Sequence, residues 1–475
     1  MYSRLFLYLL ICSSVMFSCK KDKKTLEDQT AFFGGEIINP STNYIIIFKS
    51  SEIIDTVYLD SNNRFKYTFN DFVPGLFSFY DGKESQSFLI QPQDSIMIRV
   101  NTVEFDESLV FNGIGEKENN YLMDLFLETE KQEQEILKIS QLEPKEFETK
   151  LSKIRDAKLE KLSKFNRKYK TTKLFNTYAK ANINYNYYYS KEAYPFINYS
   201  ESEEAIFNKL PSDFFDFRSE IDYNNETLKD YRPYVSFLRF HFNNIALQEH
   251  FKHSKDDTYN NQSLDYNLDK LTLIEQKVSD TFIKNRLLYY NMIKFINASK
   301  SVDDYDTLLK SFQAKSTNNE QKFKATKLVN SYKLLKPGQI IPDLMVIDKN
   351  EDAKHLKDII NKPTIIYFWD AMDRYHLKVS HERAKDLQKK YPEFDIIAIS
   401  INALSSREQA EILQRNNFNL NNEYHFENVE KAIELLSLKP VNKVFIVDKN
   451  AVIVNPKANM FDVMIETELL GLINK

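Results

Sequence analysis

Cysteine occurs twice in this chain of 475 residues, at Cys12 and Cys19. Everything after residue 19 is free of thiols. The body of the protein can therefore form no internal disulfide, no cysteine-ligated zinc or iron–sulfur site and no cysteine nucleophile. Histidine occurs seven times. His250 and His253 stand three apart in a stretch of helical periodicity, which puts both imidazoles on one face at a spacing a metal can use. No third ligand stands beside them in the sequence, so they are expected to be solvated surface side chains. Tyr185, Tyr187, Tyr188 and Tyr189, followed by Tyr194 and Tyr199, could form an aromatic platform for a sugar or peptide. At helical spacing, core packing with hydroxyls at the rim is the expected role. With 8 glycines in the chain and no GxGxxG or GxxxxGK[ST] string, a glycine-rich phosphate loop is excluded. The net charge of -4 argues against nucleic acid as a partner. No cofactor and no complete metal-ligand set is expected.

The elements that would carry these residues fall into three compositional segments. Residues 31–115 are all-β in character. Short runs rich in Ile, Val, Phe and Tyr (Tyr44–Lys49, Thr56–Leu59, Arg64–Phe69, Leu76–Tyr80, Ser87–Ile90, Ser95–Val100) alternate with turn signals at Asp60–Asn63 and Asp81-Gly82. A small sandwich or curved sheet follows. Residues 116–337 contain no glycine. Tight turns and sheets usually need residues at positive φ, so a long glycine-free stretch argues for helices. Periodic apolar positions such as Phe147, Leu151, Ile154 and Leu162, or Tyr234, Phe237, Leu238 and Phe242, agree and predict a helical domain of roughly eight helices. Residues 338–475 alternate strand-like runs (Leu344–Ile347, Thr364–Trp369, Ile396–Ile401, Val444–Val447, Val452–Val454) with helical ones near Tyr375–Tyr391, Ser405–Asn416, Asn428–Leu436 and Val463–Ile473. This is an α/β sheet with a parallel core.

Within the last segment, four strings stand in the order of the TlpA-like thioredoxin family of extracytoplasmic thiol–disulfide reductases, which they resemble. They are Ile341-Pro342-Asp343-Leu344, Lys362 to Trp369, Ile396 to Ile401, and Phe445-Ile446-Val447-Asp448-Lys449-Asn450. The resemblance implies a thioredoxin-like fold for residues 338–475. In that family Phe-Trp is followed by a CxxC motif. Here Phe368-Trp369 leads into Asp370-Ala371-Met372-Asp373-Arg374-Tyr375-His376, so Asp373 takes the place of the attacking cysteine and His376 that of the resolving one. Asn442 takes the place of the family's cis-proline. Thiol–disulfide exchange needs a thiolate and a resolving thiol, and Asp and His supply neither, so the family's activity is not carried over. Asp373 is expected to cap the helix that opens there, with His376 exposed in the first turn. The alternative is an acid/base pair at Asp373/His376, or half of a metal site with His381.

The first 18 residues carry Arg4 and then a short apolar run from Leu5 to Phe17, too short to span a bilayer and suited to a signal peptide. Ser18-Cys19 resembles a bacterial lipoprotein box, which implies lipid attachment at Cys19. Residues 19–30 then read as a lysine-rich tether. Lys20 stands where inner-membrane retention signals place Asp, which points to the outer membrane of a Gram-negative envelope, facing the periplasm or the surface. The segments 31–115, 116–337 and 338–475 therefore read as a β-rich module, a helical domain and a thioredoxin-like domain behind a lipid anchor. The leading functional expectation is a redox-inactive binding or scaffold protein with a protein or peptide partner. The alternatives are an enzyme with non-thiol chemistry at Asp373/His376 and an accessory member of an envelope thiol–disulfide system.

Overall fold

A computed structural model describes residues 29–50, 52–198, 207, 209–254, 259–299, 301–438, 441 and 443–474. The leader, Cys19, Tyr199 and Asn442 lie outside the described residues. The chain divides into two compact units, 1–241 and 242–475. Composition separates the chain by type of element, whereas this division runs through the helical stretch.

Among the described residues the first unit holds eight strands: β1 (Ala31–Ile38), β2 (Tyr44–Lys49), β3 (Glu52–Tyr58), β4 (Arg64–Phe69), β5 (Gly75–Tyr80), β6 (Ser85–Ile90), β7 (Ser95–Asn101) and β8 (Val110–Ile114). They form two four-stranded sheets, ordered β4-β1-β7-β8 and β3-β2-β5-β6. The inward faces of both sheets share one apolar core, in which Phe33 stacks on Phe88 with ring centroids 3.9 Å apart. Strand β1 escapes the sequence reading because Gly34 and Gly35 sit inside it. Gly35 is required by close approach: a Cβ there would lie 2.3 Å from the Ile98 carbonyl oxygen on neighbouring β7. The predicted turns form as Asx-type turns. Asp60 accepts the Asn62 and Arg64 N–H groups, and Asp81 accepts those of Lys83 and Glu84.

Between β8 and residue 338, eight helices of 12 residues or more lie among the described residues: α1 (Glu116–Ile139), α2 (Pro144–Lys168), α3 (Lys173–Ile197), α4 (Arg232–His253), α5 (Leu264–Lys277), α6 (Thr281–Ala298), α7 (Asp304–Lys315) and α8 (Asn319–Leu334). Their starts are locally encoded. Pro144 occupies the first turn of α2, and Thr172, Ser263, Asp280 and Asn318 cap α3, α5, α6 and α8 through their side chains. The tyrosine run lies on α3, where Tyr185, Tyr187, Tyr188 and Tyr194 are buried. Tyr188 stacks on Phe217 at 4.6 Å and Tyr194 on Phe147 at 4.4 Å, so the cluster is core rather than a binding platform.

The second unit ends in a seven-stranded sheet ordered β10-β9-β13-β12-β11-β14-β15. Its strands are β9 (Met345–Ile347), β10 (Ala353–His355), β11 (Thr364–Trp369), β12 (Asp395–Ser400), β13 (Glu423–Phe426), β14 (Lys443–Val447) and β15 (Ile453–Asn459). The helices between or after them are α9 (Arg374–Lys390), α10 (Ser406–Arg415), α11 (Val429–Leu436) and α12 (Met464–Ile473). β11 runs parallel to β12, β12 parallel to β13, and β14 and β15 close the far edge antiparallel. A parallel β11–α9–β12 crossover beside an antiparallel β14–β15 pair is the thioredoxin-like arrangement that the motif strings imply. All six residues of β11 are buried, as a central strand covered on both faces requires. Helix α9 lays Leu377, Ala384 and Leu387 on the core formed with Tyr367, Trp369 and Ile446. The left-handed residue of the β14–β15 turn is Ala451 (φ 60°), one place after Asn450, which stands where the family has glycine.

Candidate functional site

Strand β11 delivers the chain into the segment Asp370–Asp373 at the head of α9. Asp370 accepts the N–H of Met372, and the Asn402 side chain donates to Asp370 Oδ1 (2.9 Å) while accepting the N–H of Ala371 (2.6 Å). Asn402 lies two residues beyond β12, so the ends of two parallel strands clamp the turn. Asp373 then caps α9: its Oδ1 accepts the His376 backbone N–H at 2.9 Å. This is the capping role expected from sequence. A carboxylate at the positive end of the helix dipole occupies the place where the family's pattern has a cysteine.

His376 departs from the expectation of an exposed ring. It is half-buried, and its Nδ1 is buried without a hydrogen-bond partner among the described residues. Burial lowers its pKa, against the opposing pull of Asp373 and Asp370. Its Nε2 lies 3.2 Å from Ser380 Oγ, one turn on, and its ring faces Phe461 at 6.4 Å. Ser380 is fully buried, so this serine–histidine contact offers no accessible nucleophile. The Asp373 carboxylate is hydrogen-bonded to the backbone of His376, not to its ring.

His381 does not join them. It is buried, donates from Nδ1 to the Leu377 carbonyl (2.7 Å) and presents Nε2 to Glu423 Oε1 at 3.1 Å. Both ring nitrogens are thus engaged away from Asp373 and His376, which removes the metal site proposed for His381 with that pair. Glu423, on β13, also accepts the Trp369 indole N–H at 3.2 Å. Burial raises the Glu423 pKa, and His381 and Trp369 counter it only partly. No sequence signal marked this trio, because Glu423 lies 42 residues from His381 and 54 from Trp369.

The surface beside the cap is apolar. Met372 and Tyr375, on either side of Asp373, are 87% and 79% exposed. Phe461, which faces His376, is followed by Val463 and Met464, 83% and 61% exposed. Two chain segments thus present exposed apolar side chains where the family's pattern places its dithiol.

The paired histidines of α4 also differ from the sequence reading. His250 is buried rather than solvated, and a third residue, Asp269 of α5, lies against both rings. No helix among the described residues is long and apolar enough to cross a membrane.

No family model and no curated protein matches the chain. Among solved structures, it is similar to a putative thiol-disulfide oxidoreductase from Bacteroides vulgatus, at 23% identity over 29% of this chain and 97% of that one, with a TM-score of 0.26. A thioredoxin-like protein from Bacteroides caccae matches at 11% identity over 59% of this chain and 92% of that one, with a TM-score of 0.34. A putative thiol:disulfide interchange protein DsbE from Chlorobium tepidum matches at 17% identity over 29% and 95%, with a TM-score of 0.23. These likenesses concern the fold alone.

Proposed function

We propose that this is a lipid-anchored cell-envelope protein whose thioredoxin-like domain has exchanged redox chemistry for binding. The observation that carries the reading is Asp373. It fills the helix N-cap where the family's attacking cysteine would stand, in a chain with no cysteine after Cys19. A capping carboxylate satisfies the helix start permanently and can form no mixed disulfide. The exposed Met372, Tyr375, Val463 and Met464 supply what a recognition surface needs: apolar area that gains by leaving water. The partner of that chemistry is an extended polypeptide segment with apolar side chains. Acylation of Cys19 would hold the protein at the outer membrane, each buried methylene contributing about 0.8 kcal/mol.

Three measurements test this together. Insulin reduction by the purified protein should match the blank, and turnover above it would overturn the loss of redox chemistry. Cys19→Ala should move the protein from the membrane to the soluble fraction, and an unchanged membrane fraction would overturn the anchor. Crosslinking from position 372 in membranes should trap a polypeptide, and Tyr375→Ser with Val463→Ser should reduce that capture at an unchanged melting midpoint. Equal capture by the double variant would remove this surface from the reading.

A further inference from the structure

The geometry points to a zinc-class divalent metal site at His250, His253 and Asp269, apart from the thioredoxin-like sheet. His250 and His253 stand three apart in the last turn of α4, so their rings project from one face of the helix. Asp269 comes from the middle of α5. The pairing of these helices is pinned by the Tyr266 hydroxyl, which donates to the Asn243 carbonyl at 3.0 Å. Asp269 Oδ2 lies 3.4 Å from His250 Nδ1 and 3.0 Å from His253 Nε2. The three ligand atoms all lie within 4.8 Å of one another. Zinc–nitrogen and zinc–oxygen bonds of about 2.0–2.2 Å place tetrahedral ligand atoms about 3.4 Å apart. The existing separations reach this with small side-chain rotations.

The surroundings suit a cation. The carbonyl end of α4 carries the negative pole of the helix dipole. Lys252, between the two histidines, is paired with Glu249 at 2.8 Å. The site is graded from inside to outside: the His250 side chain is 2% exposed, Asp269 19% and His253 50%. Two helices therefore supply three ligands, and the solvent side leaves a fourth position for water. Two imidazoles and one carboxylate favour zinc and its first-row neighbours over magnesium or calcium, which prefer all-oxygen sites. Imidazole ligands also need no thiol, in keeping with a chain whose folded part contains none.

The test is zinc binding by the full chain after chelator treatment, followed by competition with a chromophoric zinc chelator. The wild type should bind one equivalent that His253→Ala and Asp269→Ala each weaken at least about tenfold, since even outer-shell changes at metal sites cost that much. His355→Ala, which breaks the exposed His355–Asp343 contact elsewhere in the chain, should leave the affinity unchanged. Any zinc held by the leader cysteines is common to all these variants and cancels in the comparison. His253 is half-exposed, so its substitution should leave the metal-free melting midpoint unchanged, which separates ligand loss from unfolding. Wild-type affinity in His253→Ala, or a Cys12→Ser/Cys19→Ser chain that takes up no zinc, would overturn the site and leave Asp269 as a hydrogen-bond partner of His253 alone.

Discussion

Glu423 Oε1 lies 3.1 Å from His381 Nε2, with both side chains buried. His381 Nδ1 already donates to the Leu377 carbonyl, so one proton is shared between Nε2 and the carboxyl. Burial raises the Glu423 pKa, which favours the carboxyl as the holder of that proton and a pair without net charge. Glu423→Gln preserves a donor for His381 and an acceptor for Trp369, and should cost under about 1 kcal/mol. Glu423→Ala should cost about 1–3 kcal/mol for each group left unsatisfied. Urea unfolding of both variants checks this; a Gln variant as damaged as Ala would show that an ion pair is what the interior holds.

Asp373 should behave as a cap. Asp373→Ala is expected to lose about 0.5–2 kcal/mol, while Asp373→Asn and Asp373→Ser lose much less, because each retains an oxygen for the His376 N–H. Partner capture should survive Asn and Ser. Melting midpoints and capture for the three variants are the measurement. Loss of capture in Asp373→Asn at unchanged stability would restore a chemical role for the carboxylate.

Lys443 and Lys457 make the second unit's stability depend on alkaline pH. Lys443 Nζ donates to the Leu436 carbonyl (2.8 Å) and lies over the Tyr332 ring (4.6 Å); Lys457 Nζ donates to the Tyr305 hydroxyl (2.5 Å) and lies over the Tyr332 ring at 4.2 Å. Burial pulls Lys443 down to about 7, aided by the charge of Lys457, and burial pulls Lys457 down to about 8. The unfolded chain then binds more protons than the folded one from about pH 7–8 up to the ordinary lysine value, ~10.4, so stability rises with pH across that window. Above about pH 10 the trend reverses, because burial pushes Tyr332 up to about 12. The melting midpoint should therefore climb between pH 7.5 and 9.5, taken as roughly the middle of the window. Lys443→Met should flatten the climb; an equal slope in that variant would assign the dependence to other groups.

Glu192 anchors the helical part of the first unit. It is fully buried and takes the Arg218 guanidinium in two hydrogen bonds, at 2.8 and 2.6 Å, and His241 Nδ1 at 2.7 Å. The Tyr223 hydroxyl meets the other nitrogen of His241 at 2.8 Å. Burial alone would raise the Glu192 pKa; His241 and Arg218 outweigh it and hold the carboxyl below its usual range. Glu192→Ala strands a partly buried guanidinium and a buried imidazole and should cost about 3–5 kcal/mol. Denaturant unfolding checks the figure, and a loss under about 1 kcal/mol would mean that water replaces the carboxylate without penalty.

What the sequence determined by itself are the features written in neighbouring residues. The alternation in Arg64–Phe69 and the apolar run Thr364–Trp369 set strands at those bounds. The glycine-free stretch set helices, and Asp373 three residues before His376 set a cap, because capping and periodicity act over one turn or one pleat. Strand β13 was illegible because Glu423 and His425 turn polar side chains into the interior, where only partners from other elements satisfy them. The same holds for Glu192 with His241, 49 residues apart, and for Asp269, which meets His253 only when α5 packs on α4. Those pairings are decided by tertiary structure, since a buried charge or imidazole takes its partner from whichever element the fold brings within about 3 Å, at no fixed spacing along the chain.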